Sequence, residues 1–270
     1  MPKFFIERTQ LRSEPDGRKL VVFSGEDAHH LARVLRVKPG DLLTATDGQG
    51  RLYRLTVTAL AAGTVSTLVL GEEEDRTEPA VRITLYQSIL KGEKMDWVLQ
   101  KGTELGIAAF VPCLSLRTVA RPEPELYSKK QERWQKIVTA AAKQSARGLI
   151  PTVRPVTPWT ELQELLAGHP AVVAWEGERT FSLRTALDQL AAAGPPSELS
   201  LIIGPEGGLA PAEVEQLAAW GAVPVSLGPR ILRAETAGPV TAALILYHFG
   251  ALDPVPGGEE GEITFFNKGR

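Results

Sequence analysis

With 270 residues, 43% hydrophobic and 23% charged, the chain is too long for one small module and predicts a packed core in one large domain or two. A formal charge of -2 and a pI near 6.2 argue, taken as sums, against a nucleic-acid binder. No apolar run approaches the roughly 18 residues that span a bilayer, and Met1-Pro2-Lys3-Phe4-Phe5-Ile6-Glu7-Arg8 has no signal-peptide core. Cys113 is the only cysteine. It leaves no intrachain disulfide and no thiolate metal cage, so a reducing cytoplasm is the expected location and neither metal nor membrane is expected as a partner.

The first seventy residues predict a small, mostly β domain. Residues 4–6, 20–23, 42–46, 52–60 and 65–70 are short β-rich runs, with Asp47-Gly48-Gln49-Gly50 as a hairpin turn and Gly63 as another. One helix interrupts them. Ser24, followed three residues later by Asp27, has the form of a capping box, and Ala28, Leu31, Val34 and Leu35 share one face. The other faces and the helix exit carry His29, His30, Arg33, Arg36 and Lys38, either an ordinary solvated surface or a set of phosphate contacts.

Residues 71–79, Gly-Glu-Glu-Glu-Asp-Arg-Thr-Glu-Pro, lack periodicity and predict a linker. The pattern then changes to strands alternating with longer helices. Residues 81–88 form a strand, residues 93–105 a helix burying Met95, Val98, Leu99 and Gly102, and residues 107–114 a second strand. Between Arg117 and Arg154 lie Arg117, Arg121, Lys129, Lys130, Arg133, Lys136, Lys143, Arg147 and Arg154, against only Glu123, Glu125 and Glu132. A helix over 127–147 uses Trp134, Ile137, Val138 and Ala141 for burial, so its cations point elsewhere. That is the footprint of a polyanion site, with a solubilising helix face as the alternative. Further on, Thr157-Pro158 opens a helix, residues 171–175 form a strand, and Ser182 caps the next helix.

The organising stretch is 199–250. Leu199-Ser200-Leu201-Ile202-Ile203 breaks at Gly204-Pro205-Glu206-Gly207-Gly208 and resumes as a helix over 211–220. A second unit follows: strand 223–227, a long turn from Gly228 to Thr236, and a helix over 237–249. Strand, glycine turn and helix is the repeating unit of a parallel α/β sheet, whose ligands sit beyond the carboxyl ends of the strands. Gly208 is followed by Leu209 and Ala210 instead of a Lys-Ser or Lys-Thr pair, so this is no P-loop. Glycines at 204, 207 and 208 also miss the dinucleotide-binding spacing, and no Gly-x-Gly-x-Gly turn follows an early strand. Beyond Asp253 the composition turns to Pro, Gly and Glu, and residues 253–270 are expected to be a loosely ordered tail.

Leu201-Ile202-Ile203-Gly204-Pro205-Glu206-Gly207-Gly208 and Leu227-Gly228-Pro229-Arg230-Ile231-Leu232-Arg233-Ala234-Glu235-Thr236-Ala237 resemble the paired signatures of the RsmE family, SPOUT-superfamily methyltransferases acting on a uridine N3 of small-subunit (16S) ribosomal RNA. Lys94-Met95-Asp96, Gln100 to Gly106 and His30 to Arg36 are similar to the family as well. The resemblance implies an α/β fold: a PUA-like β-barrel RNA-binding domain over 1–72, then a SPOUT methyltransferase domain over 79–252 containing a trefoil knot. It also implies a homodimer with the site near its interface, to which the helix over 237–249 is a candidate contributor, unless that helix is internal core.

The implied cofactor is S-adenosylmethionine. Gly204, Gly207 and Gly228 would admit close backbone approach, Ile203, Leu227, Ile231 and Leu232 would wall the adenine, and Trp175 would close the far side, with Pro205, Thr236 and Ala237 completing the site. RNA contacts are implied for Arg8, His30, Arg33, Arg36, Arg117, Gln144 and Arg147. Where the family more usually carries Glu-Gln, this chain has Lys143-Gln144. Uracil N3 must lose a proton before it attacks a methyl group, so the site needs a proton acceptor and stabilisation of charge on the uracil oxygens. Arg233 suits the second task, and Glu206 or Glu235 the first if burial raises its pKa. The alternative duties are loop orientation for Glu206 and helix capping for Glu235. Rival functions are a SPOUT enzyme acting on a ribose 2'-hydroxyl or a transfer-RNA base, and a non-catalytic RNA-binding protein.

Overall fold

The computed structural model describes residues 3–121 and 123–253. Its β-rich first part forms six strands: β1 (Lys3–Phe5), β2 (Leu11–Ser13), β3 (Lys19–Ser24), β4 (Leu42–Thr46), β5 (Arg51–Ala61) and β6 (Thr64–Glu74). They pair in the order β1-β4-β5-β6-β3-β2, antiparallel except for β1 on β4. Along β5, Tyr53, Leu55 and Val57 are buried while Arg54 and Thr58 are exposed, the alternation of a sheet with one wet face. Phe4, Val21, Phe23, Leu31 and Leu43 join them in a single core.

Three expectations need correction. Strand β6 runs on through Glu74, so the first half of the presumed linker is paired with β5. Ser24 precedes α1 (Gly25–His29) but accepts no capping bond through its side chain. Beyond α1, His30–Leu35 winds as a π-helix, with Arg36 in the left-handed region at φ 52°. The wider i to i+5 winding breaks the i, i+3, i+4 stripe. Ala28 and Leu31 are buried as expected, but Val34 is 61% exposed and Leu35 is also turned outward.

The second part is a parallel sheet. Its strands are β7 (Arg82–Ser88), β8 (Ala109–Leu114), β9 (Thr152–Val153), β10 (Thr157–Pro158), β11 (Ala171–Ala174), β12 (Glu198–Ile203) and β13 (Ala222–Val225), ordered β10-β8-β7-β12-β11-β13 with β9 also on β8. Thr157-Pro158 is a short edge strand, and Pro158 then serves as N-cap of a 3-10 turn, Trp159–Glu161, which leads into the expected helix. The helices are α2 (Lys94–Leu105), α3 (Tyr127–Gln144), α4 (Leu162–Leu166), α5 (Leu183–Ala192), α6 (Pro211–Ala219) and α7 (Ala234–His248). One face of the sheet packs on Met95, Val98 and Leu99 of α2, Trp134 and Val138 of α3, Leu183 and Leu187 of α5, and Ile245 and Leu246 of α7. The other face packs on α4 and α6. Each such large apolar side chain contributes about 1.5–3 kcal/mol by leaving water, and the near-continuous burial along β12 follows from being covered on both sides.

Helix α3 stops at Gln144, short of the expected 147, and the chain then turns through Ala146 at φ 54°. Arg147 is buried at 4% exposure instead of facing RNA. It pairs with Glu78, with Nε 3.2 Å from Oε1, and donates through Nη1 to the carbonyls of Thr103 at 3.0 Å and Ile107 at 2.7 Å. Gly148 lies so close to Asp75 that an added Cβ would sit 2.3 Å from its Cγ. This segment joins the two sheets. The 47–50 hairpin docks on it through Gly50 N to Gly148 O at 3.1 Å and Ile150 N to Gly48 O at 3.2 Å, while Lys3 pairs with Asp75.

The connection after β11 is organised by Glu178, whose Oε1 accepts from Thr180 N, Thr180 Oγ1 and Phe181 N at 2.7, 2.7 and 2.8 Å. The Phe181 amide, with the Thr180 hydroxyl and amide, holds the Glu178 carboxyl down at about 2. The expected cap is present as well, with Thr185 N donating to Ser182 Oγ at 3.1 Å.

Two outcomes follow from these contacts. Arg147→Met leaves the Glu78 carboxylate without its counter-ion in a low-dielectric seam, and urea denaturation should report a loss of about 3 kcal/mol; an unchanged midpoint would refute the structural role. A carboxylate depressed in the folded state contributes stability that is complete above its ordinary value and is lost as pH falls through the folded one. In an NMR titration the Thr180 and Phe181 amides should therefore move with a midpoint near pH 2, not near the ordinary 4.5.

Candidate active site

Because β12, β11 and β13 run parallel and end in register, with Ala174 opposite both Ile203 and Val225, the connections after them emerge side by side. They enclose one cleft of about 1080 Å³. Of the residues expected at a cofactor site, Trp175, Ile203, Gly204, Pro205, Gly207, Leu227, Gly228, Ile231, Leu232 and Ala237 all line it, as do Glu206, Arg233 and Glu235. Thr236 does not. Ile231 is 86% exposed, so it stands at the mouth and is not an enclosing wall.

The 204–208 turn is fixed from several directions. Gln87, buried at the end of β7, donates through Nε2 to Gly204 O at 3.3 Å and Ser88 O at 3.1 Å, while its Oε1 has no hydrogen-bond partner. Arg117, expected at the RNA surface, is exposed but sets Nη1 3.0 Å from Gly207 O. The buried carboxylate of Glu213, in the first turn of α6, accepts Leu116 N at 2.6 Å and Ala210 N at 2.8 Å, tying the loop after β8 to the loop after β12. Gly208 has φ +68°, and a side chain there would collide with the Glu176 carboxylate, so glycine lets the connection after β11 close over the one after β12.

Helix α7 begins at Ala234, three residues earlier than expected, with Arg233 as its exposed N-cap residue. Glu235 consequently lies in the first helical turn, where the amide ends of the helix favour negative charge. It does not stand alone. Lys94 Nζ is 3.5 Å from Glu235 Oε2 and 3.5 Å from Glu206 Oε1. Glu206 Oε1 also accepts Lys91 N at 3.0 Å, whereas Glu235 Oε2 is buried with no hydrogen bond. Burial pushes the Glu206 carboxyl up, but the Lys91 amide, its own backbone amide and Lys94 together outweigh this and leave it below the ordinary range. The expected upward tuning therefore does not hold for Glu206.

Lys94, Glu176, Arg179 and Arg230 also line the cleft, although the sequence alone does not single them out for it. The carboxyl end of the 171–175 strand was a recognisable signal for Glu176 and Arg179, and the 228–237 motif contains Arg230. For Lys94 only its place in a family-like segment pointed that way, since 112 residues separate it from Glu206. Among the expected RNA contacts, His30, Arg33, Arg36 and Gln144 are exposed, and His30 meets the Phe4 ring edge-on at 6.0 Å. Arg8 opens a 3-10 turn, Arg8–Gln10.

The family models agree with this arrangement. That for an RNA methyltransferase domain matches residues 77–246, and that for an RNA methyltransferase PUA domain matches residues 23–69. The chain is 35% identical over 239 residues to a Bacillus subtilis protein named ribosomal RNA small subunit methyltransferase E, covering 88% of this chain and 93% of that one. The crystal structure of a ribosomal RNA small subunit methyltransferase E from Neisseria gonorrhoeae bound to S-adenosyl methionine is similar at TM-score 0.72 and 31% identity, covering 92% and 97% of the two chains. A Legionella pneumophila putative methyltransferase in complex with the bound cofactor SAM follows at TM-score 0.68 and 27% identity, again covering 92% and 97%. With its glycine turns gathered at one rim and both family models matched, the chain belongs to the ribosomal RNA small subunit methyltransferase E family of RNA methyltransferases.

Proposed function

We propose that the protein transfers a methyl group from S-adenosylmethionine to N3 of a specific uridine in 16S ribosomal RNA, working in the cytoplasm on the small subunit or its RNA. The observation that carries this reading is the single cleft enclosed by the 204–208 and 228–237 turns, with Arg233 and Glu235 at its edge. Residues 1–72 serve as a PUA-like β-barrel that holds RNA, and residues 79–252 as a SPOUT domain with a trefoil knot. In support of the knot, α7 follows the edge strand β13 yet packs beneath β12 and β7 beside α2. A homodimer is supported by α7 itself: Ala242, Ile245 and Leu246 are internal, but Val240, Leu244 and Tyr247 stay exposed.

The residues present fit the cofactor. Ile203, Leu227 and Leu232 offer apolar walls with Trp175 at one side, the turn backbones offer amides and carbonyls to an adenine edge, and Arg179, Arg230 and Glu176 offer charges to a zwitterionic tail. When bound, the cofactor supplies an electrophilic methyl group on a sulfonium. The protein's part is to orient and to move a proton. Glu206 is committed to the Lys91 amide and held low, so the acceptor for the N3 proton is Glu235. The Arg233 guanidinium, a donor without acceptor capacity, holds the charge that spreads onto the uracil oxygens. The exposed His30, Arg33, Arg36, Arg117 and Gln144 fix the RNA through its phosphates.

Calorimetry should detect saturable S-adenosylmethionine binding, and unmodified small-subunit RNA treated with the protein should yield 3-methyluridine on digestion and mass spectrometry. A 2'-O-methyl nucleoside, methylation confined to transfer RNA, or RNA affinity without cofactor binding would each replace this reading. Arg233→Ala should lower the methylation rate by about 100-fold or more while cofactor affinity changes little; full activity would remove Arg233 from its role.

A further inference from the structure

Both cleft turns carry one carboxylate, and both carboxylates meet the same cation. Glu206 comes from the turn after β12, Glu235 from the first turn of α7, and Lys94, the first residue of α2, stands between them at 3.5 Å from each. Lys94 is 35% exposed, Glu206 26% and Glu235 19%, so the three side chains are partly screened but not fully solvated. No hydrogen bond holds Glu235 Oε2, although that atom is buried. A buried carboxylate oxygen lacking donors is costly unless a cation stands close to it, and Lys94 is that cation. Glu206 is secured separately by the Lys91 amide.

We infer that Lys94 is a positioning residue for methyl transfer: its ammonium is the shared counter-ion of Glu206 and Glu235 and ties the 204–208 turn to the start of α7, and thereby to Arg233. The inference about transfer rests on the reading of the cleft above; the charge coupling itself does not. The remaining charged groups near the pair are Lys91 and Glu93 ahead of α2, Arg230 and Arg233 ahead of α7, and Glu176, Glu178 and Arg179 after β11. Asp96, also on α2, is taken by Arg133. None of these others forms an ion pair with Glu235 among the described residues, so removing Lys94 leaves two carboxylates facing each other without a cation between them.

The test uses Lys94→Met, Lys94→Arg and Glu235→Gln in the full chain. Amide NMR spectra of the cofactor-free protein read the tie directly: Lys94→Met should move the signals of residues 204–208 and of the first turn of α7 together, and Lys94→Arg should return them toward their wild-type positions. In methylation assays Lys94→Met should lower kcat about tenfold with KM for S-adenosylmethionine little changed, and Lys94→Arg should restore most of the rate. Lys94→Met added to Glu235→Gln should cost less than about twofold more, because coupled residues are not additive. Unmoved amides at either turn in folded Lys94→Met protein would overturn the tie. Moved amides with an unchanged kcat, or equal losses with and without Glu235, would overturn the positioning role. Failure of the wild-type protein to bind S-adenosylmethionine or methylate RNA would count against the proposed function and leave the NMR result standing.

Discussion

Everything at the cleft depends on three strands ending level. Ala174, Ile203 and Val225 are register partners in parallel strands, and a parallel sheet delivers every strand end of one sense to the same edge. Were β11 antiparallel to its neighbours, the connection carrying Trp175 and Glu176 would leave from the opposite rim. Burial enforces the arrangement: β11 and β12 are covered on both faces, by α5 and α7 on one side and α4 and α6 on the other, and only crossover connections build such a sandwich.

Irregular backbone at that rim creates polar groups that no sheet or helix satisfies, and the protein answers with side chains from elsewhere. Glu213 accepts two amides from different loops, Gln87 donates to Gly204, and Arg117 donates to Gly207. These bonds fix the turns as shaped walls before any ligand arrives, which lowers the ordering cost of binding. Glycine has a specific place in this economy. At Gly208 the Glu176 carboxylate occupies the space a side chain would need.

The same accounting reconciles a near-neutral chain with a basic region. Of the nine cations between Arg117 and Arg154, Arg147 is spent on Glu78 and Arg133 on Asp96, while Arg121 donates to carbonyls of its own loop. Lys129, Lys136 and Lys143 remain exposed on α3. The local charge excess was genuine along the sequence, but part of it neutralises acids brought in from other elements. Arg147 gains a different task, since its segment is where the 47–50 hairpin meets the parallel sheet.

The amino-acid order by itself determined what depends on neighbours along the chain. It set the change from β-rich to alternating periodicity, the 42–46 strand to the residue, the buried stripe of Met95, Val98 and Leu99, the Ser182 cap, and both glycine turns at strand ends. These follow from side-chain periodicity and turn chemistry, which act over a few residues. Tertiary structure alone decided which charges meet. Arg147 and Glu78 lie 69 positions apart, and Lys94 reaches Glu206 and Glu235 only because α2 begins beside the rim where both turns emerge. The π-winding that exposes Val34 was equally hidden, because an i to i+5 turn uses the residues of an ordinary helix. Coulomb energy and hydrogen bonding depend on distance in space, and no local pattern encodes a distance between residues that the chain separates so widely.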